Sequence, residues 1–220
     1  MGAIVEEQVM APEKGRAAIK DTMALPLMES FYTLQGEGGH TGKAAWFIRL
    51  GGCDVGCHWC DVKESWNADQ FAQMPVQTIV AEAKASPCRT AVVTGGEPLM
   101  HNLDLLCTEL HAHGFKNHIE TSGTSPLTGQ WDWLCLSPKK FKAPRKEYFA
   151  AAHELKVVIY HESDLDWAAS FLPELNAHCQ LYLQPEWGRR ERVMPAIVNY
   201  IKDNPQWQMS LQTHKYMDIP

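Results

Sequence analysis

Apolar and polar positions follow two periods along this chain. Val76, Ile79, Val80 and Ala83 recur at the i, i+3, i+4, i+7 spacing of an amphipathic helix. Leu103, Leu106, Cys107 and Leu110 repeat that spacing, and Gly114 stands where the helix should stop. Between and beyond these helices lie short stretches that are apolar almost throughout, as suits strands buried on both faces. They are Ala44–Leu50, Thr90–Thr94, Phe115–Ile119, Trp133–Leu136, Leu155–Tyr160, Gln180–Leu183 and Trp207–Leu211. Further helices are expected over 145–154, 164–172 and 190–202. Leu25–Leu34 is the first segment expected to pack. Residues 1–24 mix Glu, Lys, Pro and Ala without a sustained period and read as a poorly ordered extension, so 25–220 forms the single domain.

Strand–helix units of about 20–30 residues imply parallel strands joined by right-handed crossovers. About six core strands is fewer than the eight that close a barrel, so the expected fold is α/β, a partial, open (β/α) barrel. Almost every strand runs at its C-terminal end into polar or glycine-rich residues: Gly51-Gly52, Thr94-Gly95-Gly96-Glu97, Glu120-Thr121-Ser122, Ser137-Pro138-Lys139, Gln184 and Gln212-Thr213-His214. Ligands of α/β folds bind beyond the carboxyl ends of the strands, so six such ends on one face mark an active site.

The strongest chemical signal is the stretch Cys53-Asp54-Val55-Gly56-Cys57-His58-Trp59-Cys60. A structural zinc site needs four closed ligands, and none of the scattered Cys88, Cys107, Cys135 and Cys179 makes a second pair. Seven cysteines is an odd number and no export signal precedes them, which argues against a disulfide framework. A thioredoxin-like pair would leave Cys53 idle. Three thiolates instead suit a 4Fe-4S cluster with one iron left open to a small molecule. Cys107, on an apolar helix stripe, reads as core, and His58 as pointing outward.

Composition narrows the class further. With 45% apolar and 21% charged residues, 220 residues describe an ordinary soluble domain. A net charge of −6 gives no electrostatic case for direct nucleic-acid binding. No apolar run approaches a membrane span, and no signal peptide precedes the domain. Reduced thiols and this lack of an export signal point to the cytoplasm.

Cys-x3-Cys-x2-Cys, an aromatic before the third cysteine (Trp59) and Gly95-Gly96-Glu97-Pro98 together resemble the radical S-adenosylmethionine (SAM) enzymes. The resemblance narrows with Thr33-Leu34-Gln35-Gly36-Glu37-Gly38, Phe47-Ile48-Arg49-Leu50, Cys60-Asp61, Ile119-Glu120-Thr121-Ser122-Gly123, Ser137-Pro138-Lys139, Leu183-Gln184-Pro185 and Leu211-Gln212-Thr213-His214-Lys215. In that order they resemble the 7-carboxy-7-deazaguanine synthases of queuosine biosynthesis, with residues 1–24 outside the match. The resemblance implies a lyase that contracts the ring of 6-carboxy-5,6,7,8-tetrahydropterin and releases ammonia, using SAM catalytically. It implies that Cys53, Cys57 and Cys60 hold the cluster. It assigns Trp59, Cys60, Asp61, Gly96, Glu120, Ser137, Pro138 and Lys139 to SAM. To the pterin it assigns Leu34, Gln35, Gly36, Glu37, Arg49, Thr94, His214 and the carboxylate of Pro220. The pterin edge needs paired donors and acceptors, and its carboxylate needs a fixed cation, for which Arg49 is the candidate. No general base is assigned, because the cofactor carries the chemistry.

One departure stands out. Many members of this family hold Mg2+ through a Thr or Ser two residues after the third cysteine, and here that position is Val62, which has no oxygen to offer. Weak dependence on Mg2+, or an ion held only by substrate and water, is therefore expected. The basic run Lys139–Lys146 reads first as a solvated face and second as a dock for a flavodoxin-type reductant. A homodimer is implied by the resemblance. Two other readings are a glycyl-radical activating enzyme, with the same cysteine spacing, and a zinc-bearing binding module. The Gln35/Glu37 and Gln212-Thr213-His214 motifs speak against the first, and the acidic net charge against the second.

Overall fold

Alternate residues of each strand face a layer of helices, and those between them face a hollow. The computed structural model describes residues 23–220, which build one nine-stranded sheet. Its strands are β1 (Ala24–Leu34), β2 (Ala44–Leu50), β3 (Gln73–Pro75), β4 (Thr90–Gly95), β5 (Lys116–Thr121), β6 (Trp133–Leu136), β7 (Glu154–Ile159), β8 (Gln180–Pro185) and β9 (Trp207–Met209). Their order is β3-β1-β2-β4-β5-β6-β7-β8-β9. β1 runs antiparallel to β2 and β3, and all other neighbours are parallel. The parallel part is the open α/β sheet expected, its last strand only three residues long. The short edge strand β3 carries no strand signal of its own; it forms by pairing with the start of β1.

The helices are α1 (Val76–Lys84), α2 (Asp104–Ala112), α3 (Glu147–Ala151), α4 (Asp164–Ala169), α5 (Arg190–Asp203) and α6 (Thr213–Met217). In α1 the buried residues are Val76, Ile79, Val80 and Ala83, the four that carry its period. α3 is shorter than the 145–154 expected, because Ala152 turns extended and the His153 N–H donates to Leu134 O, drawing the chain into β7. Of the extension expected over residues 1–24, only Met23 and Ala24 fall within the described residues, and Ala24 already opens β1.

On the helix side, Ile48, Leu50, Val93, Ile119, Leu136, Leu155, Val157, Ile159 and Leu183 join Ile79, Leu106, Leu110 and Ile197 in one core. Each such side chain contributes about 1.5–3 kcal/mol by leaving water. The opposite parity holds Phe47, Arg49, Thr94, Glu120, Ser137, Lys156, Val158 and Gln184, all lining a single cavity. Strands as far apart in the order as β2 and β8 share that cavity, so the sheet bends into an open half-barrel. Polar groups in mid-strand are thereby sheltered without entering the helix-side core.

Glu97 ties two strand ends together. Its carboxylate is 1% exposed and accepts from Leu99 N (3.1 Å), Thr121 Oγ1 (2.6 Å), Ser122 N (2.7 Å) and Ser122 Oγ (2.5 Å). These bonds fix the end of β5 against the loop that follows β4. Replacing Glu97 by Ala leaves four donors buried without an acceptor and should cost at least about 3 kcal/mol. Urea unfolding measures the loss, and amide exchange at Ser122 should accelerate in parallel.

Candidate functional site

The cysteine loop leaves β2 at Gly51 and is pinned by backbone bonds on both sides. Gly52 N donates to Ser65 O (2.7 Å) and Cys53 N to Trp66 O (3.1 Å), while the His101 ring bonds Gly51 O (2.8 Å). The next strand end closes on it, with Gly96 N on Leu50 O (3.0 Å) and Glu97 N on Gly52 O (2.7 Å). Only glycines allow so close a seam. Gly95 has φ +142°, and a Cβ on it would lie 2.0 Å from Leu50 O; one on Gly96 would lie 2.3 Å from Gly52 O.

Cys53, Cys57 and Cys60 all line the cavity, whose volume is about 560 Å³, and none is in a disulfide. Among the described residues no three Cys, His, Asp or Glu side chains converge on one ion position; the three thiols instead share a wall. Burial pushes Cys57 up to about 11 and raises Cys53 as well, with the charges of the neighbouring thiolates adding to it. The backbone amides of Val55 and Gly56 oppose that rise at Cys53. Three soft thiols around one hollow fit an iron–sulfur cluster, whose irons would hold the sulfurs deprotonated. His58 is exposed, edge-on to Phe141 and Tyr160, and does not line the cavity.

The floor of the cavity is a charged network. Lys156 is 2% exposed, and its Nζ donates to Glu37 Oε2 (2.5 Å) and Glu120 Oε2 (2.8 Å). Gln212 Nε2 donates to Glu37 Oε1 (2.9 Å), and Gln35 Nε2 to Glu120 Oε1 (2.9 Å). Burial would raise the Glu37 carboxyl, but the charge and hydrogen bond of Lys156, helped by Gln212 and Gln184, outweigh it and hold Glu37 down at about 2. Burial would likewise discharge Lys156, yet Glu120 and Glu37 keep it well above the usual lysine range. Gln35, Gly36 and Glu37 reach this floor from the β1–β2 loop, which lies at the opposite end of the half-barrel from the cysteines. Thr213 N (2.9 Å) and Oγ1 (3.0 Å) donate to Gly36 O, and Gly38 N donates to Ser210 Oγ (2.9 Å).

Of the residues assigned to the cluster, SAM or the pterin, all line the cavity except Pro138, which is buried beside Ser137 and Lys139. Arg49 lines it too, with Nε donating to Glu29 Oε1 at 2.6 Å. Lys139 Nζ folds back onto Ser137 O (2.6 Å) and Oγ (2.8 Å), and burial lowers its pKa. Asp61 is bonded by Lys215 Nζ at 2.8 Å, which clasps α6 to the cysteine loop. Half-burial lowers His214 from the ordinary histidine range. Pro220 forms part of the wall, its carbonyl accepting from Thr33 Oγ1 (3.3 Å).

Sequence reasoning missed Lys156, Gln184 as a floor residue, Lys215 and Trp187. Lys156 had a readable signal: a lysine inside the strand run Leu155-Lys156-Val157-Val158 must find counter-charges. Trp187 had none, since its place at the cavity mouth depends on Tyr216, Arg190 and Lys215 packing against its ring.

Residues 47–137, from β2 to the end of β6, match the Radical SAM superfamily. The 7-carboxy-7-deazaguanine synthase of Flavobacterium psychrophilum is 51% identical over 218 residues, 99% of this chain and all of that protein, so its match reaches into residues 1–24. The Synechocystis synthase is 46% identical over 90% of this chain and 95% of its own length. A crystal structure of QueE from Escherichia coli superposes with a TM-score of 0.78 at 29% identity, covering 91% of this chain and 99% of that one. Among the described residues no helix is long and apolar enough to cross a membrane.

Beneath the floor, His40 from the β1–β2 loop packs tilted against both His118 (4.5 Å) and Trp133 (4.4 Å). Burial, and then the nearby His40, pull His118 down to about 4. The unfolded chain takes up that proton near pH 6.5, so His118 adds no penalty above that pH and destabilises the fold as pH falls toward 4. The expected loss is about 3 kcal/mol across that window. Urea unfolding at several pH values should show it, and the His118→Phe variant should show a shallower fall.

Proposed function

Because the chain belongs to the 7-carboxy-7-deazaguanine synthase family of radical SAM enzymes, we propose that it converts 6-carboxy-5,6,7,8-tetrahydropterin to 7-carboxy-7-deazaguanine with loss of ammonia. One observation carries the reading: a single cavity has three cysteine thiols in one wall and a floor of paired carboxylates, amides and a buried lysine. The reaction needs both ends, and the other readings do not. A glycyl-radical activating enzyme must admit a protein segment, and a zinc module has no use for such a floor.

In this reading Cys53, Cys57 and Cys60 hold the 4Fe-4S cluster, and Trp59, Cys60, Asp61, Gly96, Ser137 and Lys139 surround SAM. Cluster and SAM, when bound, would supply hydrogen-atom abstraction from a C–H bond of the pterin. The chain's own residues bind and orient. Glu37 is an acceptor for the donor-rich pterin edge, and so is Glu120: the resemblance gave it to SAM, but its carboxylate is turned onto the floor by Lys156 and Gln35. Gln35, Gly36, Thr94 and His214 complete the pterin's contacts. Arg49 is the cation for the pterin's carboxylate, and Pro220 adds a further substrate contact. Their place on the cavity wall supports these roles. So does the burial of Lys156 between the two carboxylates, which are themselves only partly exposed.

The same reading carries a homodimer, a cytoplasmic setting and a flavodoxin-type reductant. Three cations of the basic run are already paired, Lys140 with Asp164, Lys142 with Asp54 and Arg145 with Glu147. The donor is therefore better pictured over the exposed face of the cysteine loop, beside His58 and Phe141, than on a free basic patch. For Mg2+ the donor set does not fit a protein-held ion: Val62 lines the cavity with no oxygen, and the adjacent Asp61 is engaged by Lys215.

An anaerobic assay of the reconstituted protein with SAM, reductant and the pterin should yield a product lighter than substrate by ammonia, with SAM largely unspent. SAM cleavage with the pterin intact would remove the substrate assignment and leave the radical chemistry standing. In the same assay, chelating Mg2+ should change turnover by less than about tenfold, the low end of what losing even an outer-shell partner of a needed metal costs elsewhere. Val62→Thr should enlarge that response; a large Mg2+ effect in the unaltered protein contradicts the reading.

A further inference from the structure

A lysine in the middle of a buried strand is costly to keep charged, and Lys156 is kept so by two carboxylates that arrive from different parts of the fold. Glu37 comes from the β1–β2 loop and Glu120 from β5; each gives one oxygen to Lys156 and the other to an amide, Gln212 or Gln35. Remove the ammonium, and two carboxylates face each other in a sheltered floor with only neutral amides between them. Such a pair does not hold two charges near neutral pH; it shares a proton.

We infer that Lys156 is a positioning residue for substrate: it keeps Glu37 and Glu120 ionised together and at fixed spacing, as a paired acceptor for the donor-rich edge of the pterin. It acts through the carboxylates rather than on the reacting atoms. The inference rests on the proposed function, and it deepens that reading by naming what sets the charge of the recognition floor.

The other titratable groups facing this pair do not replace the lysine. Glu154, on β7, takes its bonds from Gly39 N, Trp133 Nε1 and the Cys135 thiol of β6. Burial raises both Glu154 and Cys135. Lys139 is turned onto Ser137, Arg49 onto Glu29, and His214 on α6 is held toward its neutral form by burial. Gln184 and Gln212 carry no charge. Lys156 is the cation that bridges the two acids.

The test uses full-length, cluster-loaded protein and pterin-6-carboxylate, a fluorescent and unreactive analogue, titrated anaerobically from about pH 5.5 to 7.5, with SAM affinity measured alongside. Wild type should bind the analogue with little pH dependence. Lys156→Gln should bind it weakly at the acid end and recover by about tenfold per pH unit until the shared proton is lost. Lys156→Arg should restore the flat profile, and SAM affinity should stay unchanged throughout. Weakening that is equal at every pH, or none at all, overturns the inference while leaving the substrate reading intact. Wild type that binds SAM but no pterin analogue overturns both. Should Lys156→Gln fail to fold, the double variant E37Q/K156Q decides: recovered folding with pH-flat binding supports the inference, and failure to recover overturns it.

Discussion

A buried ammonium has to be paired, and in this protein that requirement joins segments far apart in the chain. Lys156 stands on the hollow side of β7 while its neighbours Leu155 and Val157 are packed under helices. Its two partners come from β5 and from a loop entering at the far end of the half-barrel. That loop is in turn tied to the C-terminal segment, through Gly36, Thr213, Glu37 and Gln212. The first and last described segments thus meet on the floor of one cavity. A half-barrel left open at its edges would otherwise expose the polar parity of its strands to water.

The opposite wall depends on a different device, a seam of backbone. Gly95 and Gly96 approach the backbone of Leu50 and Gly52 too closely for side chains, and the Glu97 carboxylate fastens the seam to Thr121 and Ser122. The cysteine loop is therefore held from both sides before any metal enters. Rigid support at the thiols and charge pairing at the floor divide the cavity into two environments. One has soft donors at a protein–solvent edge; the other has hard acceptors sheltered from water. A cofactor with both a metal anchor and an adenosine, set beside a flat polar heterocycle, makes use of that division.

The C-terminal segment completes the enclosure. Lys215 bridges α6 to Asp61 in the cysteine loop, and Tyr216 packs edge-on to Trp187 at 5.1 Å. These exposed contacts are individually weak, since surface ion pairs contribute at most about 1 kcal/mol. Lys215 and Trp187 also line the cavity, so these contacts sit at its edge. The deep contacts at Gly36 hold the base of the same segment firmly.

Much of this was legible in the sequence. Helical and strand periods placed the elements because burial on one face imposes a period that local composition records, as Val76, Ile79, Val80 and Ala83 do in α1. The cysteine spacing and the Gly-Gly-Glu-Pro turn named the chemistry because metal and backbone geometry demand those residues at those intervals. The polar ends of successive strands marked the face of the site, since parallel strands carry their ends to one side. What the sequence alone did not decide was the floor. Gln35 and Glu37 follow an antiparallel strand and enter from the other end, which strand-end reasoning does not anticipate. Lys156 was passed over as one charge in an apolar run, and β3 was unreadable because three residues carry no period. Pairing across 119 residues, as between Glu37 and Lys156, leaves no local trace; only the curvature of the sheet brings such charges within reach of each other.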